Sequence, residues 1–170
     1  MGRLKHFFIA LAILQWDYPE IYNMQIKKVT STLPGLWEAM VRFLRQLTGR
    51  ECVFTELDLE VLIASENSHL FVAVAHDGGF AGMITVCIYQ APTGRKAWIE
   101  DVVVDKAYRG QGLGKRLAEH AIAFARTQRV DLLSLTSNPT RIEANKLYPK
   151  TGFLRKETNV YVMSLNGTQG

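Results

Sequence analysis

The sequence predicts an α/β fold of the mixed α+β kind, a mostly antiparallel sheet with one parallel strand pair, flanked by helices. Short runs rich in Val, Ile and aromatic residues crowd the first two-thirds, and Asp77-Gly78-Gly79 between two of them is a hairpin turn. From Ile99 the pattern becomes strand, glycine-rich turn, amphipathic helix and strand, ending at Thr136. A helix-filled crossover of this kind returns the chain parallel to the strand it left. With 170 residues, 48% hydrophobic and 21% charged, the chain suits one globular core.

Residues 1–23 read as an N-terminal extension. Arg3 and Lys5 precede an apolar run over residues 7–14, but Gln15-Trp16-Asp17-Tyr18-Pro19 lacks the small-residue pattern of a signal cleavage site. The run is far short of the ~20 residues that span a bilayer, so no membrane role is expected. An apolar appendage, or a non-native start ahead of a functional Met24, is the plainer reading. One domain is expected over residues 24–166, with 167–170 as a tail.

Residues 25–29 alternate as a first strand. Pro34 opens a helical pattern in which Leu36, Met40, Phe43, Leu44 and Leu47 share a face and Gly49 is the stop. A shorter helix is expected over residues 58–65, then strands over 70–75, 79–89 and 96–104. Leu113, Leu117, Ala121 and Ala125 form the apolar stripe of the next helix, and residues 131–136 form the next strand. Thr140 and Glu143 read as a capping box opening a helix toward Tyr148, with Gly152 as its end. Two last strands are expected near residues 153–157 and 160–165. An exposed late strand could pair two copies in a homodimer.

The net charge of +4 favours anionic ligands. The basic residues are scattered, without the aromatic interleaving of a nucleic-acid groove, so no nucleic-acid partner is expected. Cys52 and Cys87 have no metal spacing and suit reduced thiols in a cytoplasmic protein. His69, His76 and His120 lack ligand spacing as well, and no metal is expected.

Arg109-Gly110-Gln111-Gly112-Leu113-Gly114 stands between a strand and a helix. Glycines there let backbone N–H groups turn toward a ligand, and the helix N-terminus adds about half a positive charge, which together suit a pyrophosphate. A Walker loop is excluded because Arg109 occupies its first glycine position and Arg116 follows Lys115. A dinucleotide fold is disfavoured: the spacing is Gly-x-Gly-x-Gly, set off from Val104 by four residues.

The Arg-x-x-Gly-x-Gly spacing after Val102-Val103-Val104-Asp105 resembles the acetyl-CoA signature of the GNAT N-acetyltransferase family. Ala144-Asn145-Lys146-Leu147-Tyr148, followed by Gly152-Phe153, resembles the same family's next motif. The likeness is sharp over residues 100–153, and locally it is most similar to glucosamine-6-phosphate N-acetyltransferases. It implies the GNAT acyl-CoA N-acyltransferase fold, in which the strands ending at Val104 and Thr136 splay apart around pantetheine. Backbone groups near Val102, Val103 and Val104 would pair with its amides. Gln111, Gly112, Leu113, Gly114 and Lys115 would hold the pyrophosphate, with Arg109 and Gly110 beside it. Asn138 and Asn145 would contact the cofactor arm, and Tyr148 would protonate the departing thiolate.

The implied reaction is direct acetyl transfer from acetyl-CoA to a primary amine of a small molecule such as an amino sugar. A lysine or N-terminal amine of a protein, or a sensor that binds acyl-CoA without turnover, are the alternatives. An amine of pKa about 10.4 is almost wholly protonated at pH 7, and reaching its neutral form costs about 4.6 kcal/mol. A general base recovers part of that. Glu100 is the candidate, with Asp101, expected to point the opposite way along the strand, as its competitor. A strand N–H near Val102 or Val103 suits the oxyanion. Trp37, Arg50, Glu56, Tyr89 and Trp98 are available to read the acceptor. Two departures stand out: Arg141 occupies the place of a family asparagine, and Pro149 is expected to bias Tyr148 away from helical angles.

Overall fold

The structure, a computed structural model, describes residues 24–165. The elements are β1 (Gln25–Lys28), α1 (Leu36–Thr48), α2 (Glu56–Ala64), β2 (Ser68–Val74), β3 (Phe80–Ala91) and β4 (Gly94–Val104). A 3-10 turn (Lys106–Tyr108), α3 (Leu113–Thr127), β5 (Leu132–Leu135) and α4 (Ile142–Lys150) follow. The strands form one five-stranded sheet in chain order. Its pairings are antiparallel except β4 with β5, which run parallel across the α3 crossover.

The sheet is buried on both faces. Leu70 and Val72 of β2 meet α1 and α2 through Leu36, Met40, Phe43 and Leu59. Phe71 and Ala73, pointing the other way, meet α3 through Leu113, Leu117 and Ala121. Each fully buried Leu of these stripes contributes about 1.5–3 kcal/mol by leaving water. The Asp77-Gly78-Gly79 turn forms as expected, with Gly78 at φ 84° and the Asp77 carboxylate accepting from the Gly79 N–H at 2.8 Å.

Several expectations are corrected. α2 begins earlier than the periodicity suggested, because Thr55 and Asp58 make a full capping box. The Thr140–Glu143 box does not form. Thr140 donates instead to the Asn138 Oδ1 at 2.8 Å, and Arg141 caps the helix without a side-chain bond. Pro149 sits inside α4, which continues through Lys150 with Tyr148 helical. Pro149 supplies no N–H to the helix, but the Thr151 and Phe153 N–H groups still reach the Tyr148 carbonyl at 3.1 Å.

The two last strands are absent. Residues 154–165 run without regular structure, and Leu154, Tyr161 and Val162 are more than four-fifths exposed. A strand needs a hydrogen-bonded partner, and none is supplied here, so the strand expected to join two copies is not formed. The extension over residues 1–23 and the tail over 167–170 lie outside the described residues.

Candidate active site

Asp105 anchors the turn after β4. It is buried, ion-paired to the Arg42 guanidinium at 2.8 Å, and accepts from the Ala107 N–H at 3.1 Å. Burial would raise its pKa, but the hydrogen bonds from Arg42 and Ala107 and the Arg42 charge outweigh that and lower it. The turn is thereby tied to α1, which also holds it through Gln46, whose Oε1 accepts from the Lys106 N–H at 3.0 Å.

Gly110 and Gly112 then take left-handed angles, φ 76° and 84°, with open space where a Cβ would stand. The N–H groups of residues 110–114 donate no backbone hydrogen bond among the described residues. They form a row of free donors at the N-terminus of α3, as an anion site requires. The Arg109 side chain is turned back, its Nε donating to the Val104 carbonyl at 3.1 Å. Lys115, expected to join this row, is instead engaged: its N–H donates to the Gly112 carbonyl at 3.1 Å and its side chain pairs with Glu119 at 3.6 Å. Gly114 lies against Leu147 of α4 and Val104 of β4, so the loop, the strand and the last helix meet there.

The strand ahead of this loop is not regular. Met83 pairs with Val103 but Thr85 pairs with Glu100, so Asp101 and Val102 together face Ile84 in a β-bulge. Asp101 holds φ 49°, an uncommon angle for a residue with a side chain. The backbones are close beside it: a Cβ on Gly82 would stand 2.6 Å from the Val103 oxygen. On the other side, pairing with β5 stops at Ile99–Leu135. Beyond it the two strands part, and the β5-side backbone groups from Glu100 onward have no strand partner.

The gap is a cleft of about 430 Å³ lined by β4 (Ile99, Glu100, Asp101, Val102), the end of β5 with its loop (Leu135 to Asn138, Thr140), Arg141, Tyr148 and Leu47. The expectation that Asp101 faces away from Glu100 is corrected: the bulge breaks the alternation and brings both carboxylates to the cleft. The Glu100 pKa is raised by partial burial and then by the Asp101 charge. Asp101 is raised by burial, with Arg141 opposing. Burial raises Tyr148 as well, again opposed by Arg141, and its ring packs edge-on to Phe153 at 5.9 Å.

Asn138 faces the cleft, with its Oδ1 taken by the Thr140 N–H and hydroxyl. Asn145 lies outside the cleft lining and ties the preceding loop to α4, donating to the Asn138 carbonyl at 2.8 Å. Trp37, Arg50, Glu56, Tyr89 and Trp98 are absent from the lining. The loop between β3 and β4 is a tight turn beside Asp131, at the end of β5 away from the cleft. Sequence reasoning missed Ser137, whose buried Oγ lines the cleft with no partner among the described residues. It also missed the position of Arg141. Ser137 stands in no motif, and Arg141 showed only as a departure from the family's asparagine.

Free N–H donors beside a cleft with an orphan hydroxyl and an unpaired strand edge suit a ligand with pyrophosphate at one end and amides along an extended arm. Acetyl-CoA has that form, and Ser137 with the residue 110–114 donors is the observation that fits it. No cluster of His, Cys, Asp and Glu fit for a metal occurs among the described residues. No described helix is long and apolar enough to cross a membrane.

The acetyltransferase (GNAT) family model matches residues 35–153. Streptothricin acetyltransferase from Streptomyces lavendulae is 37% identical over 87 residues, 51% of this chain and 45% of that protein. Glucosamine 6-phosphate N-acetyltransferase 1 from Oryza sativa subsp. japonica is 36% identical over 67 residues, 39% of each chain. The matched segments therefore span less than half of each relative's length. In fold, glucosamine-6-phosphate N-acetyltransferase from Arabidopsis thaliana superposes with a TM-score of 0.70, at 22% identity over 82% of this chain and 97% of that one.

Proposed function

As the chain belongs to the acetyltransferase (GNAT) family, we propose that it moves an acetyl group from acetyl-CoA directly to a primary amine of a small molecule. The observation that carries this reading is the cleft where β4 and β5 part, with Glu100 and Tyr148 both on its wall and the free donors of residues 110–114 at the adjoining turn. Acetyl-CoA, when bound, supplies an activated thioester carbonyl.

The N–H groups of Gly110, Gln111, Gly112, Leu113 and Gly114 would hold the pyrophosphate, favoured by the α3 dipole. The backbone on the β5 side of residues 102–104 would pair with the pantetheine amides as a partner strand does. Ser137 Oγ would gain the hydrogen bond it lacks, and Asn138 would contact the arm. Asn145 would act by holding the 138–139 loop, and Arg109 by bracing the Val104 carbonyl. An N–H near Val102 would donate to the carbonyl oxygen as negative charge builds there.

Glu100 would take the proton from the acceptor ammonium, directly or through a water. Its raised pKa brings it closer to that of the amine. Tyr148, kept neutral by burial, would give its proton to the departing thiolate. Streptothricin and glucosamine 6-phosphate, which name the relatives, make a cationic antibiotic or an amino sugar the first acceptors to try. The free thiols Cys52 and Cys87 support a reducing, cytoplasmic setting.

Isothermal titration with acetyl-CoA and separately with NAD tests the reading. Saturable micromolar binding of acetyl-CoA alone is expected, followed by thiol release on addition of an acceptor amine. Absence of acetyl-CoA binding would overturn it.

A further inference from the structure

We infer that Arg141 is a positioning residue for the transfer, a strut that ties the C-terminal end of α1 to α4 across the cleft and sets its cationic charge opposite Asp101 and Tyr148. The inference rests on the acetyl-transfer reading of this cleft. Its geometric basis is a hydrogen bond from the Arg141 Nη2 to the Leu47 carbonyl at 2.7 Å, 94 residues away in sequence. Leu47 is in the last turn of α1, whose unpaired carbonyls carry partial negative charge and suit a cation. Arg141 immediately precedes α4, so its backbone moves with the helix that bears Tyr148. All four residues, Leu47, Asp101, Arg141 and Tyr148, line the same cleft.

The titratable groups facing the cleft are Glu100 and Asp101 from β4 with Arg141 and Tyr148 from the α4 segment. The α1 and β5 sides contribute Leu47, Leu135, Thr136, Ser137 and Asn138, none of which titrates in the accessible range. Arg141 is therefore the one cation among the cleft-lining side chains, against two carboxylates. Its charge opposes the burial that raises Asp101, and the Asp101 charge in turn raises Glu100. One guanidinium so fixes both the width of the cleft and the charge pattern beside the base. A neutral asparagine at this place could brace the loop but could not set that charge.

The experiment compares the wild type with Arg141→Met and Arg141→Lys, using acetyl-CoA and whichever of streptothricin, an aminoglycoside or glucosamine 6-phosphate the wild type acetylates. Arg141→Met is expected to lower kcat about 10-fold or more, with acetyl-CoA affinity within about 3-fold and little change in melting temperature, since the residue is exposed. Removing the cation favours the protonated forms of Asp101 and Tyr148; loss of the Asp101 charge then lets the Glu100 pKa fall, so the acid limb of the kcat/KM–pH profile should move to lower pH and the basic limb to higher pH. Arg141→Lys should return the limbs toward their wild-type positions while restoring only part of kcat, because a lysine keeps the charge without the planar fork. In an Asp101→Asn background the acid limb should no longer respond to Arg141→Met. An unshifted profile in Arg141→Met, or a loss that follows melting temperature alone, would overturn the inference with the acetyltransferase reading intact. A wild type that fails to bind acetyl-CoA would remove both.

Discussion

As the proposed base, Glu100 can take a proton only after losing its own, so its raised pKa should set where activity begins. The group is deprotonated above that pKa and protonated below it. The acid limb of kcat/KM should therefore lie above the ordinary glutamate value of 4.5. Glu100→Gln should lower kcat/KM by roughly 100-fold at neutral pH and abolish that limb, as read from thiol release across pH. Tyr148→Phe should cost less, roughly 10-fold in kcat with acetyl-CoA affinity unchanged, because a thiolate of pKa about 8.5 leaves without much help. The sequence singled out Tyr148 by its motif and Glu100 by the strand that leads into the glycine turn, and both line the cleft. The place of Asp101 was not legible, since strand alternation assumes an unbroken ladder and its φ of 49° at a bulge breaks the rule. Arg141 was visible only as a departure from a pattern, and its bond to Leu47 crosses 94 residues.

The turn before α3 works through backbone geometry, so its sensitivity lies in conformation rather than side-chain chemistry. Gly112 at φ 84° has space for a Cβ but an angle that penalises one by about 1–2 kcal/mol. Gly112→Ala should relax the turn, misdirect the free N–H groups and weaken acetyl-CoA binding about 10-fold by isothermal titration, with kcat at saturation little changed. Most elements were readable from periodicity because their apolar stripes are the ones the two cores use. The exceptions were local competitions between hydrogen bonds. Thr55 and Asp58 satisfy each other and lengthen α2, while Asn138 takes the Thr140 hydroxyl and deprives α4 of the cap its sequence offered. The β-rich spelling of residues 154–165 described propensity, and propensity without a partner edge does not make a strand.

At the scale of the molecule, α1 and α2 cover one face of the sheet and α3 the other, yet the sheet itself is left open where β4 and β5 part. A ligand that fills such a gap binds only the folded protein. At about 100 times its dissociation constant, acetyl-CoA should add about 2.7 kcal/mol to stability. For a chain of this size that is a rise of roughly 5–11 °C in melting temperature by scanning fluorimetry. NAD at the same concentration should give no rise. The parallel pair was foreseeable from the crossover rule, since one glycine turn and one amphipathic helix between two strands leave little choice.

The shortness of the β4–β5 ladder also has a kinetic consequence. The β2–β3 and β3–β4 pairings are hairpins, whereas Lys96 with Leu132 through Ile99 with Leu135 must close a loop of 36 residues to gain a parallel pairing. The entropy of that closure is recovered by few hydrogen bonds, so this seam should zip after the hairpins and breathe before them. Backbone amides of Leu133 and Leu135 should exchange with deuterium well before those of Val72 or Ile84 in the antiparallel centre. Saturating acetyl-CoA should slow that exchange selectively, at the very edge where the protein left its own weave unfinished.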